Sequence, residues 1–300
     1  MSLICKGMRT LAVALLAGLG GLSAQAALQV VDDDGAPVLL AQPARRIISL
    51  APHTTELLYA AGAGDRIIAS VSFANYPEAA KALPRVGDAA LLDLERIAAL
   101  KPDLLVVWMH GSAAKQIDKL RALGVPIFHS EPKNLAQIAD NLRKLGALAG
   151  TPAPAEAAAL AYEQELAALR ATYAGRSPVR VFHQVWSQPL LTVNDRHLIS
   201  DVIRLCGGVN VFGRLDALVP PVSMEAVVAA RPQVITTGVA PPSGGGQPPD
   251  GLDIWRGLKQ FEPVARGQLV AVNSDLISRH TPRIAQAAKL MCEGIDKARR

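Results

Sequence analysis

The chain has 300 residues, 50% hydrophobic and 19% charged, with a formal net charge of +5. That apolar fraction excludes a disordered chain, and 24 Gly with 3 Cys exclude collagen-like and disulfide-scaffold chains. The length suits one large domain or two of ordinary size, and an aromatic content of 4% leaves a core built mostly of Ala, Leu, Val and Ile.

Residues 1–26 read as a secretory leader. Lys6 and Arg9 give a positive start, 11–22 are an apolar stretch short for a bilayer, and Ala24-Gln25-Ala26 is an A-x-A cleavage site. A membrane anchor is the competing reading, and no Cys follows the apolar run to take a lipid. Elsewhere no apolar run approaches ~18 residues, so a soluble mature protein is expected. Losing Lys6 and Arg9 with the leader lowers the formal charge from +5 to +3. The remaining Lys and Arg are dispersed without interleaved aromatics, which argues against nucleic acid.

Residues 46–51 read as a strand, 54–61 as a helix stopped at Gly62, and 66–70 as a strand. A helix over 94–100 precedes a near-continuous apolar strand over 104–108. A helix over 112–123, a strand over 126–130 and a helix over 135–149 complete this half. Such alternation predicts a parallel sheet covered on both faces. Residues 155–173 carry only helical spacing, which predicts one helix of about 19 residues, roughly 28 Å long. Beyond Pro178 come strands over 179–184 and 190–193, helices over 198–205 and 224–230, and a strand over 234–237. A Pro/Gly-rich loop over 239–251, a strand over 269–273 and a closing helix over 282–297 follow. The expected architecture is α/β: an N-terminal lobe over 27–150, a linking helix within 151–177 and a C-terminal lobe over 178–300. A helix lacks loop residues that absorb hinge rotation, so small lobe closure is expected.

An internal repeat links the lobes. Residues 93–102 (DLERIAALKP) align without a gap to 223–232 (SMEAVVAARP), an offset of 130. Asp93 and Ser223 are N-cap types, which places Glu95 and Glu225 in the first turns of equivalent helices. The helix dipole alone accounts for a first-turn glutamate. Two on matching elements also form a quasi-symmetric anionic pair, suited to a two-fold partner with two basic pockets.

Ligand sites in open parallel sheets lie beyond the carboxyl ends of the strands. Those positions hold Pro52, His53, Phe73, Tyr76, Trp108, His110, Trp186 and Asp275. Four aromatics there, from a supply of twelve, point to a cleft between lobes; rim packing is the plainer explanation for any one of them. His53, His110 and His183 lack a close metal-ligand spacing such as H-x-x-x-H, so no metal site is expected. No G-x-S-x-G, P-loop or H-E-x-x-H occurs, so no catalytic residues are assigned. The mature chain keeps Cys206 and Cys292, an even number in an oxidising compartment; one disulfide or two buried thiols are the alternatives.

Several segments resemble a known family. They are Ile47 to Pro52, Thr55-Glu56-Leu57, Tyr76-Pro77, Leu94 to Ile97, Lys101 to Leu104, Cys206-Gly207-Gly208 with Asn210-Val211-Phe212, and Ser278 through Pro282-Arg283. In order, and over nearly the whole mature chain, they resemble the periplasmic cobalamin-binding proteins of ABC importers. Those are helical-backbone, class III periplasmic binding proteins with two Rossmann-like lobes. The resemblance implies cobalamin or a related corrinoid as a transported ligand rather than a cofactor. It implies an inner-membrane ABC permease dimer as the partner, docked through Glu95 and Glu225. It also implies a Cys206–Cys292 disulfide, and a corrinoid near Pro52, Phe73, Trp108 and Asp275. The family's aromatic pattern is not kept at Ala89, Leu191 and Val219.

The expected protein is therefore periplasmic, monomeric and not an enzyme. A haem or ferric-siderophore binder of the same fold is the alternative reading. A secreted metal-dependent α/β enzyme is the remote one, marked by turnover lost on His110→Ala.

Overall fold

The computed structural model describes residues 27–88, 90–108, 114–122, 124–240 and 250–300. The leader, Ala89, His110 and most of the 239–251 loop lie outside the described residues.

The chain opens with an antiparallel hairpin, β1 (Leu28–Val31) and β2 (Pro37–Leu40), absent from the sequence reading. Asp32 closes its turn by accepting from the backbone N–H of Asp34 (3.0 Å) and Ala36 (2.8 Å). Next come β3 (Ile47–Ser49), α1 (Pro52–Ala60), β4 (Ile67–Ser70), α2 (Leu94–Ala99) and β5 (Leu104–Val107). Then follow α3 (Ala114–Arg121), β6 (Ile127–His129) and α4 (Leu135–Ala149). Their sheet is parallel in the order β4-β3-β5-β6. All four residues of β5 are buried, which is why that segment reads as an unbroken apolar run.

The linking helix α5 (Pro152–Tyr173) has 22 residues and begins three residues before the expected start. Its first-turn proline, expected to precede the helix, fits there because the first helical N–H has no intrahelical partner anyway. At the α4–α5 contact a side chain on Gly146 would meet the Ala155 Cβ at 2.2 Å. Only glycine permits that approach.

After α5 come β7 (Val179–Gln184), β8 (Trp186–Ser187), β9 (Leu190–Leu191), α6 (Leu198–Leu205) and β10 (Gly208–Asn210). Then come α7 (Met224–Ala229), β11 (Val234–Val239), α8 (Asp253–Arg256), α9 (Glu262–Ala265), β12 (Leu269–Asn273), α10 (Ser274–Ile277) and α11 (Ile284–Lys297). This second parallel sheet has the order β10-β7-β11-β12, the first sheet's topology repeated. The expected strand over 190–193 is not its second strand. Leu190–Leu191 instead pairs with β8 as a two-residue ribbon, and β10 takes the sheet position.

One hydrophobic cluster runs through both lobes along α5. It joins Leu57, Leu104 and Phe128 of the first lobe to Val181, Ile203 and Met291 of the second through Ala159, Tyr162 and Leu166. The buried Tyr162 hydroxyl donates to the Leu135 carbonyl (3.0 Å), so burying that phenol leaves no polar atom stranded. No helix among the described residues is long and apolar enough to cross a membrane.

Cys206, the C-cap residue of α6, is disulfide-bonded to Cys292 in α11, 86 residues apart. Constraining so long a loop in the unfolded chain contributes about 2–5 kcal/mol. Cys206→Ser with Cys292→Ser is therefore expected to lower the unfolding free energy by that amount, and urea unfolding with and without reductant checks it.

Candidate functional site

In the first lobe a buried hydroxyl network fixes the turn from β3 into α1. Ser49 Oγ lies 2.6 Å from Thr54 Oγ1 and 2.8 Å from Thr55 Oγ1, and Thr55 reaches Ser70 Oγ at 2.7 Å. This turn sets Pro52 in the first turn of α1. Just beyond β4, Phe73 has the left-handed backbone φ of 66°, and its ring is 78% exposed. Arg85 braces this loop from beneath, donating to the carbonyls of Val71 (3.0 Å) and Ala74 (3.0 Å). Trp108 follows β5 half-buried, with its ring edge-on to His53 at 5.9 Å.

Beyond β7 the second lobe presents Trp186, 61% exposed, with its indole N–H donating to the Gln188 carbonyl (3.0 Å). The third tryptophan belongs to the core. Trp255 is fully buried, makes an edge contact with Phe182 at 5.7 Å, and donates to Gln184 Oε1 at 2.6 Å. The sequence-predicted aromatics thus separate into two large exposed rings, Phe73 and Trp186, and two residues engaged by protein.

Tyr76 is one of the engaged pair. The Arg283 guanidinium sits 3.8 Å over its ring. Arg283 belongs to a polar seam between lobes that sequence reasoning missed. Glu56 in α1, with a 2% exposed side chain, accepts from Arg283 Nε (2.9 Å) and Nη2 (2.7 Å) and from Arg279 Nη1 (2.7 Å). Arg279 also donates to Asn75 Oδ1 (2.7 Å) and the Phe73 carbonyl (3.2 Å), and pairs with Asp275 (2.9 Å). Asp275, expected beside the ligand, accepts from the Asn75 amide at 3.3 Å and so joins this seam. The segments at 55–57 and 278–283 that carry the family resemblance are the ones that meet here, a signal visible in sequence only as two separate motifs.

Three of the described histidines have a ring nitrogen engaged by protein. His53 is buried with Nε2 3.2 Å from the Ser130 carbonyl, and His183 Nδ1 lies 2.9 Å from Thr236 Oγ1. Burial disfavours the imidazolium, pushing His53 down to about 4 and His183 to about 3. His197 is lowered to about 4 for the same reason, and its Nδ1 accepts from the Ile199 N–H at 3.1 Å. Among the described residues, no group of three or more His, Cys, Asp or Glu could hold a metal ion.

The repeated helices are α2 and α7. Asp93 Oδ1 caps α2 from the Arg96 N–H (2.9 Å), and Ser223 Oγ caps α7 from the Ala226 N–H (3.1 Å). Glu95 and Glu225 are exposed in the two first turns. Hydrogen bonds from its own backbone N–H and from Ser223 hold the Glu225 carboxyl below the usual range. The repeat extends past the sequence match. Lys101 and Arg231 both take left-handed φ, 46° and 48°. Arg46 Nε reaches the Lys101 carbonyl at 3.1 Å, and Arg180 Nε the Arg231 carbonyl at 2.7 Å.

Residues 47–243 match the family described as periplasmic binding protein. The vitamin B12-binding protein of Yersinia pestis is 41% identical over 255 residues, 85% of this chain and 88% of that protein. The crystal structure of the periplasmic vitamin B12 binding protein BtuF of Vibrio cholerae superposes with a TM-score of 0.77 at 37% identity, covering 86% of this chain and 99% of that one. The periplasmic heme-binding protein RhuT from Roseiflexus sp. RS-1 gives 0.73 at 26% identity, over 85% and 99%. With its repeated parallel sheets and linking helix, the chain belongs to the periplasmic binding protein family.

Proposed function

We propose that this protein captures cobalamin, or a closely related corrinoid, between the aromatic rims of its two lobes and delivers it to an inner-membrane ABC permease. The chain is periplasmic, and its family is one of binding proteins. The observation that carries the ligand reading is the pair of large exposed rings, Phe73 and Trp186, one beyond a strand of each lobe in an aromatic-poor chain. Flat apolar faces suit a large macrocycle whose rim is polar. The relatives named for vitamin B12, 39–41% identical over 85% of the chain, support the same class.

Pro52 and Trp108 complete the first-lobe side of the reading, and the protein acts as a monomer without catalysis or a resident cofactor. Glu95 and Glu225 are the docking contacts, one for each permease subunit.

Calorimetry with cyanocobalamin tests the ligand. Saturable one-to-one binding is expected, and Phe73→Ala or Trp186→Ala should each weaken it at least about fivefold, near 1 kcal/mol for a lost aromatic contact. A silent cyanocobalamin titration beside a saturable hemin titration would replace the corrinoid by haem.

A further inference from the structure

Phe73 combines two features that seldom occur together. A large side chain there takes a left-handed backbone, which residues other than Gly, Asn and Asp seldom adopt, and it holds its ring out in solvent. Neither feature helps folding, so something must hold the residue there. Arg85 grips the carbonyls of Val71 and Ala74 on either side, but it belongs to the same lobe and leaves the carbonyl of Phe73 itself untouched. That carbonyl accepts from Arg279, which comes from the other lobe and is 206 residues distant.

We infer that Arg279 is a positioning residue: by gripping the Phe73 carbonyl across the seam, it presents the Phe73 ring to the ligand and makes that presentation depend on the two lobes staying together. The guanidinium suits the task because it offers five donors in one rigid fork. One edge satisfies Glu56 and Asn75, and the rest reaches Asp275 and the Phe73 carbonyl. When the lobes part, the fork leaves with the second lobe. Residue 73 then loses the bond that opposes its backbone preference and relaxes toward ordinary φ, which turns the ring away from where it stood. Pulling the seam apart thereby loosens the ligand at a point outside the seam. A permease that separates the lobes needs no contact with the ligand to weaken its hold.

The inference rests on the cobalamin reading for its ligand arm and is independent of that reading for its second arm. In the first arm, cyanocobalamin Kd and release rate are measured for the full mature chain and for Arg279→Ala, Arg279→Lys, Phe73→Ala and the double variants. Arg283 continues to satisfy Glu56 in the arginine variants. The lysine variant also keeps the charge, which protects the fold, while its single ammonium cannot span the same acceptors. Each Arg279 variant is expected to weaken binding about fivefold through faster release, and to change Kd less than about twofold once Phe73 is already Ala. Effects that multiply would overturn the inference, because Arg279 would then act without Phe73.

The second arm uses no ligand. Glycine accepts a left-handed φ that alanine resists, so Phe73→Gly should melt a few degrees above Phe73→Ala while Arg279 is present. With Arg279→Lys that order should vanish or reverse, as glycine's greater unfolded-state entropy takes over. An unchanged gap would overturn the inference whatever the ligand. Should the wild-type protein ignore cyanocobalamin, the proposed function fails, and this melting comparison alone decides the role of Arg279.

Discussion

Cells carrying Glu95→Ala together with Glu225→Ala are expected to lose cobalamin uptake, while the purified variant binds cyanocobalamin with unchanged Kd. The two carboxylates stand in the first turns of α2 and α7, on helices with equivalent capping and equivalent backbone turns at Lys101 and Arg231. Among the described residues, no hydrogen bond or ion pair joins either to the exposed rings or the interlobe seam. Removing one member of a desolvated charge pair at a protein interface costs about 2–5 kcal/mol. Losing two pairs should therefore weaken docking by at least about a thousandfold. Each single variant should retain a measurable fraction of uptake, since half of the paired contact survives. Radiolabelled uptake measured beside calorimetry separates the two properties. Normal uptake by the double variant would remove these glutamates from the docking surface, and a loss of ligand affinity would place them in the wrong site.

The largest stability effect is expected at Glu56. Its carboxylate is 2% exposed and accepts three hydrogen bonds from two guanidiniums that are themselves 10% and 18% exposed. Glu56→Ala leaves Arg279 and Arg283 facing each other in a seam where water screens little. Breaking a buried pair from one side costs about 3–5 kcal/mol, more than the pair itself contributes over an apolar replacement. Glu56→Gln should cost less, because its amide oxygen still accepts. Denaturant unfolding at constant ionic strength measures both. A cost below about 1 kcal/mol for the alanine variant would show that the seam is far wetter than the exposures imply.

Much of the fold was legible because its elements repeat a period that sequence displays. Helices at 135–149 and 198–205 and strands at 179–184 and 269–273 fall on the expected residues. β10 escaped because a three-residue strand beginning with glycine has too little periodicity to register, and the short apolar run at 190–191 took its place. β1 and β2 are longer than β3 and β6, which were read; here the Asp34-Gly35 turn between two apolar runs was the hairpin signal passed over. The site was legible to a different depth. Topology alone placed Phe73 and Trp186 beyond strand ends, since parallel sheets put their ligands there. Topology said nothing of which side chains would be consumed by protein contacts. Tyr76, His53 and Asp275 look as available in sequence as Phe73, yet each is held by a partner from a distant segment. Glu56 and Arg279, 223 residues apart, carry no local signature of their meeting.

The duplicated capping of α2 and α7 also bears on how quickly a loaded protein finds its transporter. Orientational search is what slows most protein encounters below the diffusion limit. If Glu95 and Glu225 dock on two like permease subunits, as proposed, the protein would have two acceptable approaches related by a half-turn. A collision that arrives reversed would then still be productive, and the rate of capture would rise by about a factor of two without any added contact.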